Sequence, residues 1–304
     1  MDRETRAGWR VASMALLLAL APSCSSSGGG ADAGIDVPSD TGQDTFVPDT
    51  PLPDTPADVP PEVVLCTVDC GAMATIPAGA FQMGCVAGAA GSDCDVSEKP
   101  THTVNVPAFD IDVTEVTADL WSRCVGAGGC TPPNTSSNLC TYGVAGKEQH
   151  PINCISRQQA AAFCAWDGKR LCSEAEWEKA ALGTDGRKYP WGDTAPTCEL
   201  AVLDDGDPGC GTGATFPVGS KPAGDTPTGL KDMAGNVWEW VADYYHASYA
   251  GAPADGSAWL DPATQFQVAR GGAFSDTADK IRGSARRSFN LALDGYYLGV
   301  RCCR

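Results

Sequence analysis

Residues 168–178 read Gly168-Lys169-Arg170-Leu171-Cys172-Ser173-Glu174-Ala175-Glu176-Trp177-Glu178. Ser173 and Glu176 stand three apart, so hydroxyl and carboxylate can each satisfy an open backbone N–H at a helix start. A helix is predicted from there through Trp177 and Ala181. Upstream, Ser156 and Gln159 repeat the arrangement ahead of Ala160, Phe163, Cys164 and Trp166. Gly168 suits the left-handed residue that ends such a helix. Further out, residues 74–83 alternate about a Pro-Ala-Gly turn and predict a hairpin, and residues 101–113 alternate over a longer run of strand. Thr117 can cap a short helix through Trp121 to Val125. Beyond Gly183 the chain is loop-rich to Thr228, with strands predicted at 236–241, at 268–274 around a Gly-Gly bend, and at 297–302. The expected class is α+β: one irregular, loop-rich domain stapled by disulfides.

The chain has 304 residues and a formal net charge of −17. Phosphate binding needs clustered Lys and Arg, so nucleic acid is excluded as an expected partner. Arg3, Arg6 and Arg10 precede an apolar run at residues 11–21 that is too short for a bilayer span, which takes about 20 apolar residues. Residues 1–24 therefore read as a signal peptide, with Cys24 as the expected lipidation site. Ala21 stands where a lipid-attachment box prefers Leu, which keeps ordinary cleavage and secretion as the alternative. Residues 25–62 are rich in Asp, Pro and Thr, lack Lys and Arg, and read as a disordered tether. Residues 63–304 suit one domain. An exported protein held to a membrane by lipid alone, in the periplasm or on the cell surface, is expected; the alternative is a secreted one.

Of fifteen cysteines, fourteen remain if Cys24 carries lipid, an even number suited to disulfides in an oxidising compartment. Cys66/Cys70, Cys85/Cys94, Cys124/Cys130/Cys140 and Cys198/Cys210 are close enough for local staples, though spacing does not fix connectivity. A zinc site is a weak reading: there is no C-x-x-C pair, and His102, His150 and His246 are far apart.

Several blocks resemble the formylglycine-generating-enzyme (sulfatase-modifying factor) family. They are Ile76-Pro77-Ala78-Gly79, Phe81-Gln82-Met83-Gly84, residues 109–117 (FDIDVTEVT), Pro151 to Cys154 with Ala162 to Trp166, the 168–178 block, Tyr189-Pro190-Trp191-Gly192, residues 229–240 (GLKDMAGNVWEW), Arg270-Gly271-Gly272 and Gly299-Val300-Arg301-Cys302. In this order they cover almost everything from residue 72 to 304. The resemblance implies a C-type-lectin-like fold with little regular structure. The family's enzymes oxidise a sulfatase cysteine to formylglycine, with copper held by two cysteines spaced C-x-x-x-x-C after the Arg-Gly-Gly block. Soft thiolates select Cu(I). Here those positions fall on Asp276 and Ile281, and no cysteine lies between Cys210 and Cys302. Copper is therefore not expected, and neither are catalytic residues at that place.

The resemblance also implies a Cys164–Cys302 disulfide, with Cys172–Cys303 its natural companion. It implies a calcium site from the side chains of Asp232 and Glu239 and the carbonyls of Gly235 and Val237, a chemically sensible oxygen set. Against calcium stands the pairing of Glu239 with a buried arginine. Ala201-Val202 replaces a ligand pair at the family's second calcium site, which is not expected. Trp177, Trp191, Trp238 and Trp240 could form a sugar-stacking platform, but regularly placed aromatics are more often core. Arg282, Arg286 and Arg287 fall beside the family's substrate cleft and could bind an acidic peptide, a carboxylate or a phosphate. Internal pairing with Asp276, Asp279 or Glu239 is the preferred reading. The leading functional expectation is a non-catalytic binding or structural module for an unidentified protein or peptide. The competing one is an oxidoreductase making formylglycine or a related oxidative modification.

Overall fold

A computed structural model describes residues 71–85 and 94–304. All belong to one compact unit, Asp58–Arg304. The signal peptide, Cys24, the tether and the Cys66/Cys70 pair lie outside the described residues. No described helix is long and apolar enough to cross a membrane.

The elements run β1 (Met73–Ile76), β2 (Gly79–Met83), β3 (His102–Val106), β4 (Phe109–Asp112), α1 (Ala118–Gly126), α2 (Arg157–Trp166), β5 (Arg170–Leu171), α3 (Glu174–Leu182), β6 (Trp238–Tyr244), β7 (Phe266–Arg270), β8 (Arg286–Asn290), β9 (Leu298–Gly299) and β10 (Cys302–Cys303). They form sheets of order β1-β4-β10-β5 and β8-β7-β6-β9, and a β2-β3 ribbon. The class is α+β.

Both capping boxes are made. Ser156 Oγ and Ser173 Oγ accept from the N–H groups of Gln159 and Glu176, whose side chains return to the cap residues' own N–H. Thr117 caps α1. Gly168 follows α2 with φ 68, a left-handed value that glycine adopts without steric cost.

The predicted hairpin at 74–83 does not form. Pro77 and Ala78 separate two strands that join different sheets, β1 pairing with β4 and β2 with β3. β6 starts at Trp238 rather than Asn236, because Asn236 has φ 64 and its side chain bonds Glu115 and the Phe216 N–H instead of a ladder. β7 ends at Arg270, where Gly271 and Gly272 turn left-handed. The predicted final strand splits in two, β9 pairing with β6 and β10 lying between β4 and β5.

Alternation along β6 and β7 places cores on both faces of their sheet. Val241 and Val268 join Trp177 of α3, while Trp240 and Ala269 join Trp121 and Phe163 of α1 and α2. α3 is buried throughout, so its charged groups need partners. Glu174 pairs with Arg270 and Arg286, Glu178 with Arg270 and the Gly84 N–H, and Lys179 Nζ donates to the carbonyls of Pro77 and Gly79.

All cysteines among the described residues are paired: Cys85–Cys94, Cys124–Cys130, Cys140–Cys154, Cys164–Cys302, Cys172–Cys303 and Cys198–Cys210. Cys154, which spacing did not group with Cys140, has φ 61 and completes that bond.

Candidate functional site

Asp276 follows the left-handed glycines after β7 and folds back on β6. Its Oδ2 accepts from Trp238 Nε1 at 2.7 Å and from the Ala273 N–H at 3.0 Å. Its carbonyl accepts from the Asp204 N–H at 2.9 Å. Arg287 Nη1 stands 3.5 Å from Oδ1. Ile281 is fully buried among Tyr189, Ala201, Leu203 and Ala234. A Cβ on Gly272 would meet Ile281 Cγ2 at 2.6 Å, so backbone and side chain are tightly fitted here. One position is a hydrogen-bond acceptor tying a loop to β6, and the other is core. A carboxylate and a sec-butyl group do not fit Cu(I), and the described cysteines are all in disulfides.

The expected calcium set centres on Glu239 and Asp232. Glu239 Oε1 accepts from Arg301 Nη2 at 2.7 Å, and Oε2 accepts from Arg301 Nε at 2.8 Å and Trp177 Nε1 at 2.6 Å. Both oxygens are thus engaged, and the neighbouring guanidinium supplies the positive charge a cation would bring. Asp232 Oδ2 accepts from the Gly219 N–H. Beside it is Glu115, which sequence reasoning missed. It is 1% exposed, Oε1 accepts from Asn236 Nδ2 at 3.0 Å, and Oε2 has no hydrogen-bond partner. Burial, and then the Asp232 charge, push its carboxyl well above the ordinary range; burial also raises Asp232. Gly235 lies against Val202, where a Cβ would stand 2.2 Å from the Val202 oxygen, and Val237 is fully buried. Asp232 and Glu239 thus lie about the buried Arg301, with Glu115 as a third carboxylate.

The arginine cluster divides. Arg282 forms a two-pronged pair with Glu98 at 2.7 and 2.7 Å, and Arg286 with Glu174 at 2.8 and 2.7 Å over the Tyr249 ring. Both are buried, and neither is a cleft residue. Their carboxylate partners differ from those the sequence suggested; only the Arg287–Asp276 pairing was foreseen. Arg287, with its side chain 51% exposed, is the one that faces solvent. It lies over Phe289, which contacts half-buried Tyr297, and Tyr297 in turn meets Tyr296. The stacked Tyr189–Trp191 pair joins the same segment through Tyr189 Oη, which donates to the Ala278 carbonyl at 3.2 Å. Trp177, Trp238 and Trp240 are core, with Trp191 half-buried. Glu174 and Glu178 were also missed; their four-residue spacing along α3 was the available signal.

The chain matches the sulfatase-modifying factor enzyme 1-like domain over residues 61–304. It belongs to that family. It is 29% identical to the formylglycine-generating enzyme of Streptomyces coelicolor, covering 75% of this chain and 87% of that one. It is 30% identical to the hercynine oxygenase of Mycolicibacterium thermoresistibile, covering 67% of this chain and 52% of that one. The chain thus spans about half the length of that oxygenase. The solved structure of PvdO from Pseudomonas aeruginosa superimposes with a TM-score of 0.68 at 29% identity, over 78% of this chain and 95% of that one. The family's fold is therefore that of this chain. The three histidines form no candidate metal group among the described residues. His150 meets Thr215 Oγ1 at 2.9 Å, His102 packs on Tyr249 and His246 stacks on Trp259.

Proposed function

We propose that this chain is an exported, membrane-tethered member of the sulfatase-modifying factor family that binds a protein or peptide and performs no copper oxidation at the family's position. The observation that carries the reading is the employment of Asp276 and Ile281: one anchors Trp238 and the Ala273 N–H, the other fills core. The exposed Arg287, beside Asp276 and over the Phe289 ring with half-buried Tyr296 and Tyr297 near it, supports recognition of an extended peptide bearing a carboxylate. Export is supported by the signal-like N-terminus, the Asp/Pro/Thr-rich tether and abundant disulfides.

Binding is tested by titrating fluorescent peptides of acidic and neutral sequence into the protein. Saturable binding of the acidic set, weakened about tenfold or more by Arg287→Ala, is expected. Equal binding of both sets would remove the ligand assignment. Anchoring is tested by fatty-acid labelling, with incorporation expected in the natural chain and lost in Cys24→Ala.

A further inference from the structure

The Cys85–Cys94 disulfide differs from the others in what surrounds its sulfur. Cys164–Cys302 and Cys172–Cys303 are sealed in the core. Cys198–Cys210 is half-buried, but Cys210 Sγ lies 3.5 Å from the Ala201 carbonyl oxygen and 3.9 Å from that of Leu203. Carbonyl oxygens disfavour a thiolate. At Cys85, also half-buried, the polarity is reversed: Arg282 Nη1 points at Sγ from 3.6 Å. That guanidinium is held in place by Glu98, by Ser284 Oγ at 2.9 Å and by the Asp279 carbonyl at 2.9 Å. A fixed cation beside a cysteine stabilises its thiolate and lowers its pKa. The Glu98 carboxylate, paired with Arg282 and within 4.8 Å of both sulfurs, offsets part of this effect, and what remains is the direct contact of Arg282 Nη1 with Cys85 Sγ.

Cys94, the sulfur a substrate thiolate would attack, is half-buried as well. A largely apolar pocket of about 460 Å³ opens at Cys85, lined by Val96, Lys99, Pro100, Thr101 and Ser248. Lys99 adds a second cation. The bond joins residues only 9 apart, so opening it removes a short-loop constraint.

We propose that Cys85–Cys94 is a thiol–disulfide exchange site that oxidises paired cysteines of an extended polypeptide lying across this pocket. A substrate thiolate attacks Cys94 Sγ; the Cys85–Cys94 bond breaks, and Cys85 leaves as a thiolate beside Arg282. The second substrate thiolate then attacks the substrate sulfur of the mixed disulfide, and Cys94 leaves. The substrate loses two electrons and becomes a disulfide, Cys85 and Cys94 gain them, and the two substrate protons pass to the cysteines or to water. A small-molecule disulfide of the compartment reoxidises the pair by the same exchange. This chemistry is independent of the copper positions.

The test equilibrates the full chain, in its native fold, in glutathione buffers of graded ratio, then alkylates and maps the labelled peptides. Cys85 and Cys94 are expected to open in less reducing buffer than Cys198–Cys210. The Cys85 alkylation rate is expected to rise with pH at a midpoint at least about one unit below that of Cys198 or Cys210 released in the same protein. Arg282→Met should raise that midpoint and Arg282→Lys restore most of it; the comparison within the natural chain stands even if these variants fail to fold. A peptide with two cysteines two residues apart should be cyclised stoichiometrically by the oxidised protein, and not by the Cys85→Ser/Cys94→Ser variant. Opening no earlier than Cys198–Cys210, a midpoint no lower than theirs, or cyclisation that survives the double substitution would overturn the proposal.

Discussion

Ile281 and Arg282 are adjacent in sequence and serve two different regions. Ile281 closes the family's copper position, packed against Tyr189 and Leu203. Arg282 crosses to the hairpin end at Cys85 and Glu98. In the first region residues 276 and 281 have structural duties, and the sulfurs packed nearby, Cys198 and Cys210, are joined to each other. In the second, sulfur is half-buried beside a fixed cation. The fold accommodates a carboxylate at residue 276 and a core side chain at residue 281, held by hydrogen bonds and packing.

The largest expected effect separates the staples. Replacing Cys164, Cys172, Cys302 and Cys303 together by Ser opens the loop of more than 130 residues that the two parallel bonds close and should cost at least about 5 kcal/mol, and replacing Cys85 and Cys94 under about 3 kcal/mol. Denaturant midpoints measure both; equal losses would show that Cys85–Cys94 is as structural as the buried pair. Installing cysteines at Asp276 and Ile281 together should come next, at about 2–4 kcal/mol, from two lost acceptor bonds and an underfilled core. A double variant as stable as the natural chain would mean those positions are not structurally committed.

Both regions depend on α3, whose first N–H is held by Asp243. That carboxylate accepts from the Glu174 N–H at 2.7 Å and the Trp259 N–H at 2.8 Å, and burial pushes its pKa up to about 7. The folded state therefore holds this proton more tightly than the unfolded chain does. Its contribution to stability is complete below the ordinary carboxylate range and is lost as pH rises towards 7. Thermal melts across pH 4–7 should show this decline in the natural chain and a flatter profile in Asp243→Asn. The smallest effect is expected from calcium. A filled site at a hundredfold excess over its Kd adds about 2.7 kcal/mol, roughly 5–10 °C for a domain of this size. Since Arg301 already occupies Glu239, added calcium should leave the melting temperature within about 1 °C. A shift of several degrees would restore Glu239 or Glu115 as a ligand.

The fold was largely legible because its signals are local. Ser156 with Gln159 and Ser173 with Glu176 fix helix starts within four residues, and Gly168 fixes an end. The family blocks supplied what local signals lack, including the Cys164–Cys302 bond between residues 138 apart. The hairpin error at Pro77-Ala78 has the opposite cause: alternation shows a strand but not which strand it joins. At the candidate site, the identities of Asp276 and Ile281 could be read, yet their duties could not. The bond from Asp276 to Trp238 and the Glu98–Arg282 pair, 184 residues apart, are set by tertiary packing. Glu115 escaped because a glutamate at a strand end ordinarily reads as exposed, and here Asn236 and Asp232 enclose it.

The central claim is that this domain does not oxidise cysteine through copper at residues 276 and 281. The direct measurement incubates the protein with copper, oxygen and a cysteine-containing sulfatase-type peptide beside a working formylglycine-generating enzyme, and follows aldehyde formation by mass spectrometry. The account predicts no aldehyde with this protein while the control converts its peptide. Aldehyde that depends on this protein would contradict it, and would mean copper is held by sulfur now found in disulfides.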